Sequence, residues 1–479
     1  MTIERTERAD SATHAAEEGE GKYEADIKVS PVGEHVVLRD AVFGDITDDG
    51  PNFRAVGSFG AWVLITKSDI GLGVLTLPVV FGTLGIVPGI LLIIAIMTMM
   101  SYCAAIIGPF KMRHPEVYAI QDAAFIFGGK IAKEVFFVMY QIDLILTVSG
   151  CAVSVATALN AITTHGACTA IFIAVTSIVG FVLCCVRTLS HMAFLGWVGL
   201  ISILAAVFTV AIAVGVQERP AAAPQHGPWT KEIKLFGNPS FGDGMTAVSS
   251  IVFACGATGT FFNIVSEMKE PRKYVRSMVL ALSFLGAVYI TIGSVVYIYC
   301  GQYVASPALG SAGVLMKKVC YGLAIPGMLV TLAIYGHLGG KQMFVRILHG
   351  SHHLAHSTPT HWITWFSCQA AVAVVGYLLA SAIPNFGPIK SLIGSVSKPS
   401  TCIIPFTFMW WHDNWRFVTP EQRKETRRRI MALVNIVCLA SGLFLTGAGT
   451  YGSIEAILAA SDKGGPWSCR DNSNSVPQD

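Results

Sequence analysis

The sequence predicts an all-α, multi-pass membrane protein of about eleven transmembrane helices. Three observations carry that reading: a composition poor in charge, eleven apolar stretches of spanning length, and positive residues gathered in alternate loops. Of the 479 residues, 53% are hydrophobic and only 13% are charged, against roughly a quarter charged in an ordinary soluble domain. Mean hydropathy is +0.58. A net charge of +3, with no basic run interleaved with aromatics, argues against a nucleic-acid partner.

Residues 1–54 are polar and rich in acid, with Glu17, Glu18, Glu20 and Glu24 and no apolar core. They read as a mostly disordered cytosolic tail without a cleavable signal. A bilayer core of about 30 Å takes about 20 apolar residues. Stretches of that order run over 57–83, 86–109, 131–160, 168–186, 190–216, 243–266, 277–300, 319–345, 361–383, 388–411 and 428–455. Between the second and third, His114 to Phe127 reads as a short amphipathic helix on the inner surface.

Lys and Arg set the orientation. One series of loops holds Lys111, Arg113 and Lys130, then Arg187, then Lys269, Arg272, Lys273 and Arg276, then Lys341 and Arg346, then Arg416, Arg423, Lys424 and Arg427 to Arg429. The other holds Arg219, Lys231, Lys234, Lys317, Lys318 and Lys390, with Lys463 and Arg470 in the tail. The first series is assigned to the cytosol, so the N-terminus is inside and the C-terminus outside. Trp410, Trp411 and Trp415 form an interfacial belt at the inner end of the tenth span.

Two spans are interrupted. The first carries Lys67-Ser-Asp-Ile-Gly71-Leu-Gly73-Val-Leu-Thr-Leu-Pro78, and the sixth carries Phe253-Ala-Cys-Gly256-Ala-Thr-Gly259. Matched breaks five spans apart point to a transporter built from two repeats, with its site where the broken helices meet. The repeats are placed at 55–216 and 243–411. An extracellular or lumenal loop over 217–242 separates them. A cytosolic loop over 412–427, an eleventh span over 428–455 and an outer tail over 456–479 complete the chain.

Half-helix N-termini present bare N–H groups and the positive end of a dipole. A substrate carboxylate therefore fits at Ile70, Gly71, Leu72 and Gly73. Carbonyls freed at Phe253, Ala254 and Cys255, beside Gly256 and Thr258, suit an α-ammonium group, and the pair suits a zwitterion. The alternative is that these glycines serve only close helix packing. Phe253, Phe261 and Phe262 nearby favour a neutral side chain.

These residues carry a resemblance. Lys67 to Pro78 resembles the K-x-x-I-G-x-G-x-L-x-L-P stretch of the amino acid/auxin permease family, especially its proton-coupled and fungal branches. Ser266-Glu267-Met268-Lys269-Glu270-Pro271 resembles that family's ending to the sixth span, with weaker support from Tyr335 to Lys341 and Ala382 to Phe386. The resemblance is greatest to fungal neutral amino-acid permeases. It implies a LeuT-like 5+5 inverted repeat plus one extra helix, and secondary active transport of amino acids. In sodium-coupled members an Asn helps to hold the ion at the position aligned with Lys67. An ammonium there would repel Na⁺, so the resemblance favours protons.

Lys67, Asp69, Asp143 and Lys398 lie about 15 Å deep at 1.5 Å per residue. Such groups cost about 2.5–3.5 kcal/mol at mid-depth and normally face a partner or a polar interior. Two bases and two acids permit complete pairing. Asp69 or Asp143 is a candidate proton carrier, with Lys67 supplying the cation that sodium supplies elsewhere, and Lys398 reads as a structural ion pair. The alternative is static pairs throughout.

His349, His352, His353, His356 and His361 lack an acidic or Cys partner and read as a solvated loop, so no metal site and no cofactor is expected. The Arg423 to Arg429 run can touch anionic lipid. Most of the twelve cysteines sit in apolar stretches. Cys168, Cys300, Cys320 and Cys469 sit near the outer face, where any two can pair. No nucleophile elbow, P-loop or HExxH pattern supports an enzyme. The expectation is proton-coupled import of neutral L-amino acids across the plasma membrane. A vacuolar exporter, a sodium-coupled symporter and a non-transporting sensor are the alternatives, and the oligomeric state is open.

Overall fold

The computed structural model describes residues 29–32, 35–40, 44–46, 56–71, 73–186, 189–354, 356–383, 385–461, 466–473 and 475. Each expected span is helical. Nine helices among the described residues are long and apolar enough to cross a membrane. The fourth span, Thr169–Cys184, has 16 residues, and the tenth is divided into short pieces, which is why neither meets that length.

The third span runs within Ile120–Thr163, and Gly129, at φ 69°, kinks it. That backbone conformation favours a residue without Cβ. The segment before the kink is the expected inner-surface helix, but it begins at Ile120 rather than His114. Asp122 accepts hydrogen bonds from the backbone N–H groups of Tyr118 and Ala119, which sets the start there.

The tenth span comprises Phe386–Leu392, a π turn over Ile393–Ser397, Lys398–Cys402, Ile404–Trp411 and a second π turn over His412–Arg416. Pro399 and Pro405 lack the N–H that would bond four residues back, so the regular ladder cannot pass through them.

Burial separates centre from rim. The apolar window of the sixth span is 94% buried and that of the first 76%, against 33% for the ninth and 28% for the eleventh. The eleventh, Thr426–Ser461, turns Leu433, Ile436, Val437, Leu443 and Phe444 outward, as a lipid-facing helix does. The two interrupted spans therefore occupy the middle of the bundle.

The tail differs from expectation in part. Val29–Val32, His35–Asp40 and Gly44–Ile46 pair as a three-stranded antiparallel sheet. The β-branched run Val29, Val32, Val36 and Val37 supplies the local strand preference. The rest of 1–54 lies outside the described residues.

At one face the tail after the eleventh span is tied down. Cys168 and Cys469 form a disulfide, two of the four cysteines expected near that face. The Trp467 N–H donates to Ser381 O, Thr169 Oγ1 to Arg470 O, and Lys317 Nζ to Ser473 O. The opposite face carries Arg113, Arg346, Arg416 and Arg423.

Candidate functional site

Both interrupted spans are broken where the glycines lie. The first span is helical over Ser58–Asp69 and resumes as a 3₁₀ turn over Gly73–Leu75 and a helix over Leu77–Leu84. The sixth is helical over Phe241–Ala254 and again over Thr258–Ser266. Leu72 lies outside the described residues. Ile70, Gly73, Phe253, Ala254, Cys255 and Thr258 are buried.

The breaks touch each other. A Cβ placed on Gly73 would collide with Ala254, and one on Gly71 would lie 2.8 Å from Thr331 Oγ1. One on Gly256 would lie 2.6 Å from Val252 O and 2.9 Å from Lys398 Cδ. Close packing is thus a real role of these glycines, alongside the interruption of the helices.

The protein itself caps part of the exposed backbone. Tyr289 Oη lies 2.9 Å from Asp69 O and 2.8 Å from Ala254 O, so one hydroxyl serves the final carbonyls of both half-helices. Tyr335 Oη donates to Ser68 O at 3.2 Å, and Cys402 Sγ to Gly256 O. The Ala257 N–H, at the start of the second half of the sixth span, donates to Asp69 Oδ1 at 2.9 Å. Of the carbonyls expected to meet an ammonium, Ala254 O is engaged by Tyr289, and Phe253 O accepts from the Gly256 N–H at 3.4 Å. Phe262 is fully buried with its ring 6.3 Å from Phe110. It packs on the second span rather than lining the break.

The four deep charges do not form two ion pairs. Lys398 pairs with Asp143, Nζ to Oδ1 at 2.9 Å, and Ser397 Oγ donates to the same carboxylate at 2.7 Å. Asp143 is therefore held by a base and a hydroxyl, which corrects the reading of four charges in complete pairs and leaves Lys398 as the base that is paired. Lys67 Nζ instead donates to Thr331 Oγ1 on the eighth span at 2.6 Å. No carboxylate among the described residues lies within ion-pair distance of it. Asp69, two residues on, faces the other way, as helix geometry requires. Its Oδ2 has no hydrogen-bond partner among the described residues.

Three buried groups escaped the sequence reading. Lys341, assigned above to a loop, pairs with Glu267 at 2.6 Å with both side chains 1% exposed. Tyr118 Oη donates to Glu267 Oε1 at 3.1 Å. Lys390, also assigned to a loop, is fully buried; its Nζ donates to Gly150 O at 2.6 Å and Ser154 Oγ at 3.0 Å. Both lie within the apolar stretches but near their ends, so position alone resembled a flanking loop. His337 is buried beside Trp365, ring centroids 5.6 Å apart, and nothing in the sequence singled it out. Removing Lys341 and Lys390 from the loops leaves the basic asymmetry intact. In the histidine-rich loop, the His361 ring bonds His353 O, and His352 stacks on His356 at 4.4 Å.

Comparison with known proteins gives this arrangement its family. Residues 56–455 match the family model described as "Transmembrane amino acid transporter protein", and the chain belongs to that family. It is 31% identical over 436 residues to a "Transmembrane transporter" of Fusarium pseudograminearum (strain CS3096), covering 89% of this chain and 90% of that protein. It is 30% identical over 453 residues to the "N amino acid transport system protein" of Neurospora crassa, covering 91% and 94%. Among solved structures it is similar to MhsT in complex with L-phenylalanine, at TM-score 0.51 and 12% identity over 81% of this chain and 98% of that one. It is also similar to Mhp1, a nucleobase-cation-symport-1 family transporter in a closed conformation with bromovinylhydantoin bound. There the TM-score is 0.53 at 13% identity, over 89% and 99%. These likenesses give the fold, the LeuT-like one. The chain is a multi-pass integral membrane transporter rather than an enzyme.

Proposed function

We propose that the chain imports neutral amino acids by proton symport through alternating access, with the substrate held where the two broken spans meet. The observation that carries this reading is Asp69. It stands at the end of one half-helix, receives the Ala257 N–H at the start of another, and its Oδ2 has no hydrogen-bond partner among the described residues. A proton taken up there neutralises the carboxylate without breaking the Ala257 bond. Release of the proton restores a charge that binds the half-helix N-terminus more strongly. The sixth-span break is thereby coupled to the protonation of the first.

Lys67 supports protons over sodium. Its ammonium bridges the first span to the eighth through Thr331, and Gly199 leaves room for the stem, since a Cβ there would lie 2.6 Å from Lys67 Cε. A fixed cation in that place repels a second one. Moving one charge through 100 mV supplies about 2.3 kcal/mol, or roughly a fifty-fold concentration ratio, so one proton per substrate suffices.

The Arg-rich face is assigned to the cytosol by its excess of Lys and Arg. The disulfide between Cys168 and Cys469 supports an extracellular or lumenal assignment of the opposite face, since such bonds persist in oxidising compartments; the plasma membrane is favoured over the vacuole by the family resemblance alone. The test is uptake of an amino-acid panel into proteoliposomes with pH and sodium varied independently. Accumulation of aliphatic or aromatic amino acids, driven by a proton gradient and indifferent to sodium, is the expected result. Sodium-driven accumulation, or binding without any uptake, would overturn it.

A further inference from the structure

At the Arg-rich face, well away from the breaks, the second and tenth spans end against each other. His114 follows the last residue of Ile86–Arg113, and His412 and Asp413 open the π turn His412–Arg416. His114 Nε2 lies 3.0 Å and His412 Nδ1 3.1 Å from the same oxygen, Asp413 Oδ1. One donor atom from each of the three residues falls within 4.8 Å of the other two. In sequence, 298 residues separate the two histidines, so no local motif announces the cluster.

We propose that His114, His412 and Asp413 bind a divalent transition-metal ion of the Zn2+ class, clamping the end of the tenth span to the end of the second. Two imidazoles and one carboxylate are a donor set for such an ion, with a fourth position left to water. Metal–ligand distances near 2.0–2.1 Å place tetrahedral donors about 3.3 Å apart, close to the two imidazole–carboxylate separations of 3.0 and 3.1 Å, while the two imidazole nitrogens lie within 4.8 Å of each other. The surroundings suit ligation. Arg113 Nη1 holds the second carboxylate oxygen, Asp413 Oδ2, at 3.1 Å, leaving Oδ1 toward the imidazoles. Glu116 Oε1 lies 3.8 Å from His114 Nδ1, beyond hydrogen-bond distance, so it adds negative charge beside the ring nitrogen turned away from the metal position without holding the ring. The side chains of His114, His412 and Asp413 are 22%, 12% and 7% exposed, open enough for an ion to enter from water.

The mechanical consequence lies in the tenth span. It is interrupted at Ile393–Ser397 and again at Ile403, so its Arg-rich end can swing as a separate piece. An ion held by both spans ties that piece down and slows transport.

The test is calorimetric titration of the purified full-length protein with Zn2+, paired with uptake measured with and without Zn2+ at the Arg-rich face. One ion per chain is expected, with affinity at least about tenfold weaker in His114→Ala and in His412→Ala, each of which removes one ligand. His352→Ala/His356→Ala, in the other histidine cluster, should bind as the native chain does. Uptake should slow with Zn2+ in the native protein and not in His114→Ala. His114→Gln replaces His114→Ala if the latter does not assemble. Absence of binding, or binding unchanged in both ligand variants, would overturn the site. Site-specific binding that leaves uptake unchanged would overturn the clamp.

Discussion

Lys67 and Lys398 are the same residue type, buried at the breaks, and the structure treats them differently. Lys398 faces the carboxylate of Asp143 at 2.9 Å, with Ser397 and Thr147 completing the cage. Lys67 has a threonine hydroxyl at 2.6 Å. A compensated ion pair stabilises one arrangement of helices, whereas an ammonium resting on a neutral hydroxyl is available to respond to charge elsewhere. Burial of a cation is therefore a poor guide to its role; its partner decides.

The largest test of that contrast is Lys398→Ala, which leaves Asp143 buried without its counter-charge and should cost about 3–5 kcal/mol. The measurement is thermal unfolding of purified protein, and a variant as stable as the native chain would dissolve the distinction. Lys398→Met combined with Asp143→Leu should recover most of the loss. Next comes Lys67→Ala. It should fold normally yet lose concentrative uptake, a drop of roughly fifty-fold at 100 mV, read as the internal-to-external ratio of labelled amino acid. Retained pH-driven accumulation would remove Lys67 from the coupling.

Gly256→Val should raise the KM for substrate about tenfold or more, because its branched side chain meets Val252 O and the Lys398 stem. An unaltered KM would move the substrate elsewhere. Smallest is Tyr289→Phe, which strips the shared cap from Asp69 O and Ala254 O. Leaving buried carbonyls without their donor costs about 1–3 kcal/mol, visible as a lowered unfolding temperature.

The spans, their number and both interruptions were legible because length, apolarity and glycine placement are local properties. Gly71, Gly73 and Gly256 announced the breaks through their matched placement five spans apart. Partnership was not legible. Nothing in the chain order says that Lys67 meets Thr331, 264 residues away, or that Tyr289 serves both half-helices. Lys341 and Lys390 were assigned to loops because closeness to a span's end is visible in sequence, whereas Glu267, Gly150 and Ser154 become their neighbours only after folding. The tenth span read as one helix; its first π turn and the break at Ile403 follow from Pro399 and Pro405, whose effect depends on what replaces the missing bonds.

The bond between Cys168 and Cys469 spans 301 positions of sequence and so closes a covalent ring around everything from the fourth span to the eleventh. A protease that nicks the turn-rich segment after Val216, or the histidine loop, opens that ring without dividing the molecule. Both pieces should migrate together in a gel until a thiol is added.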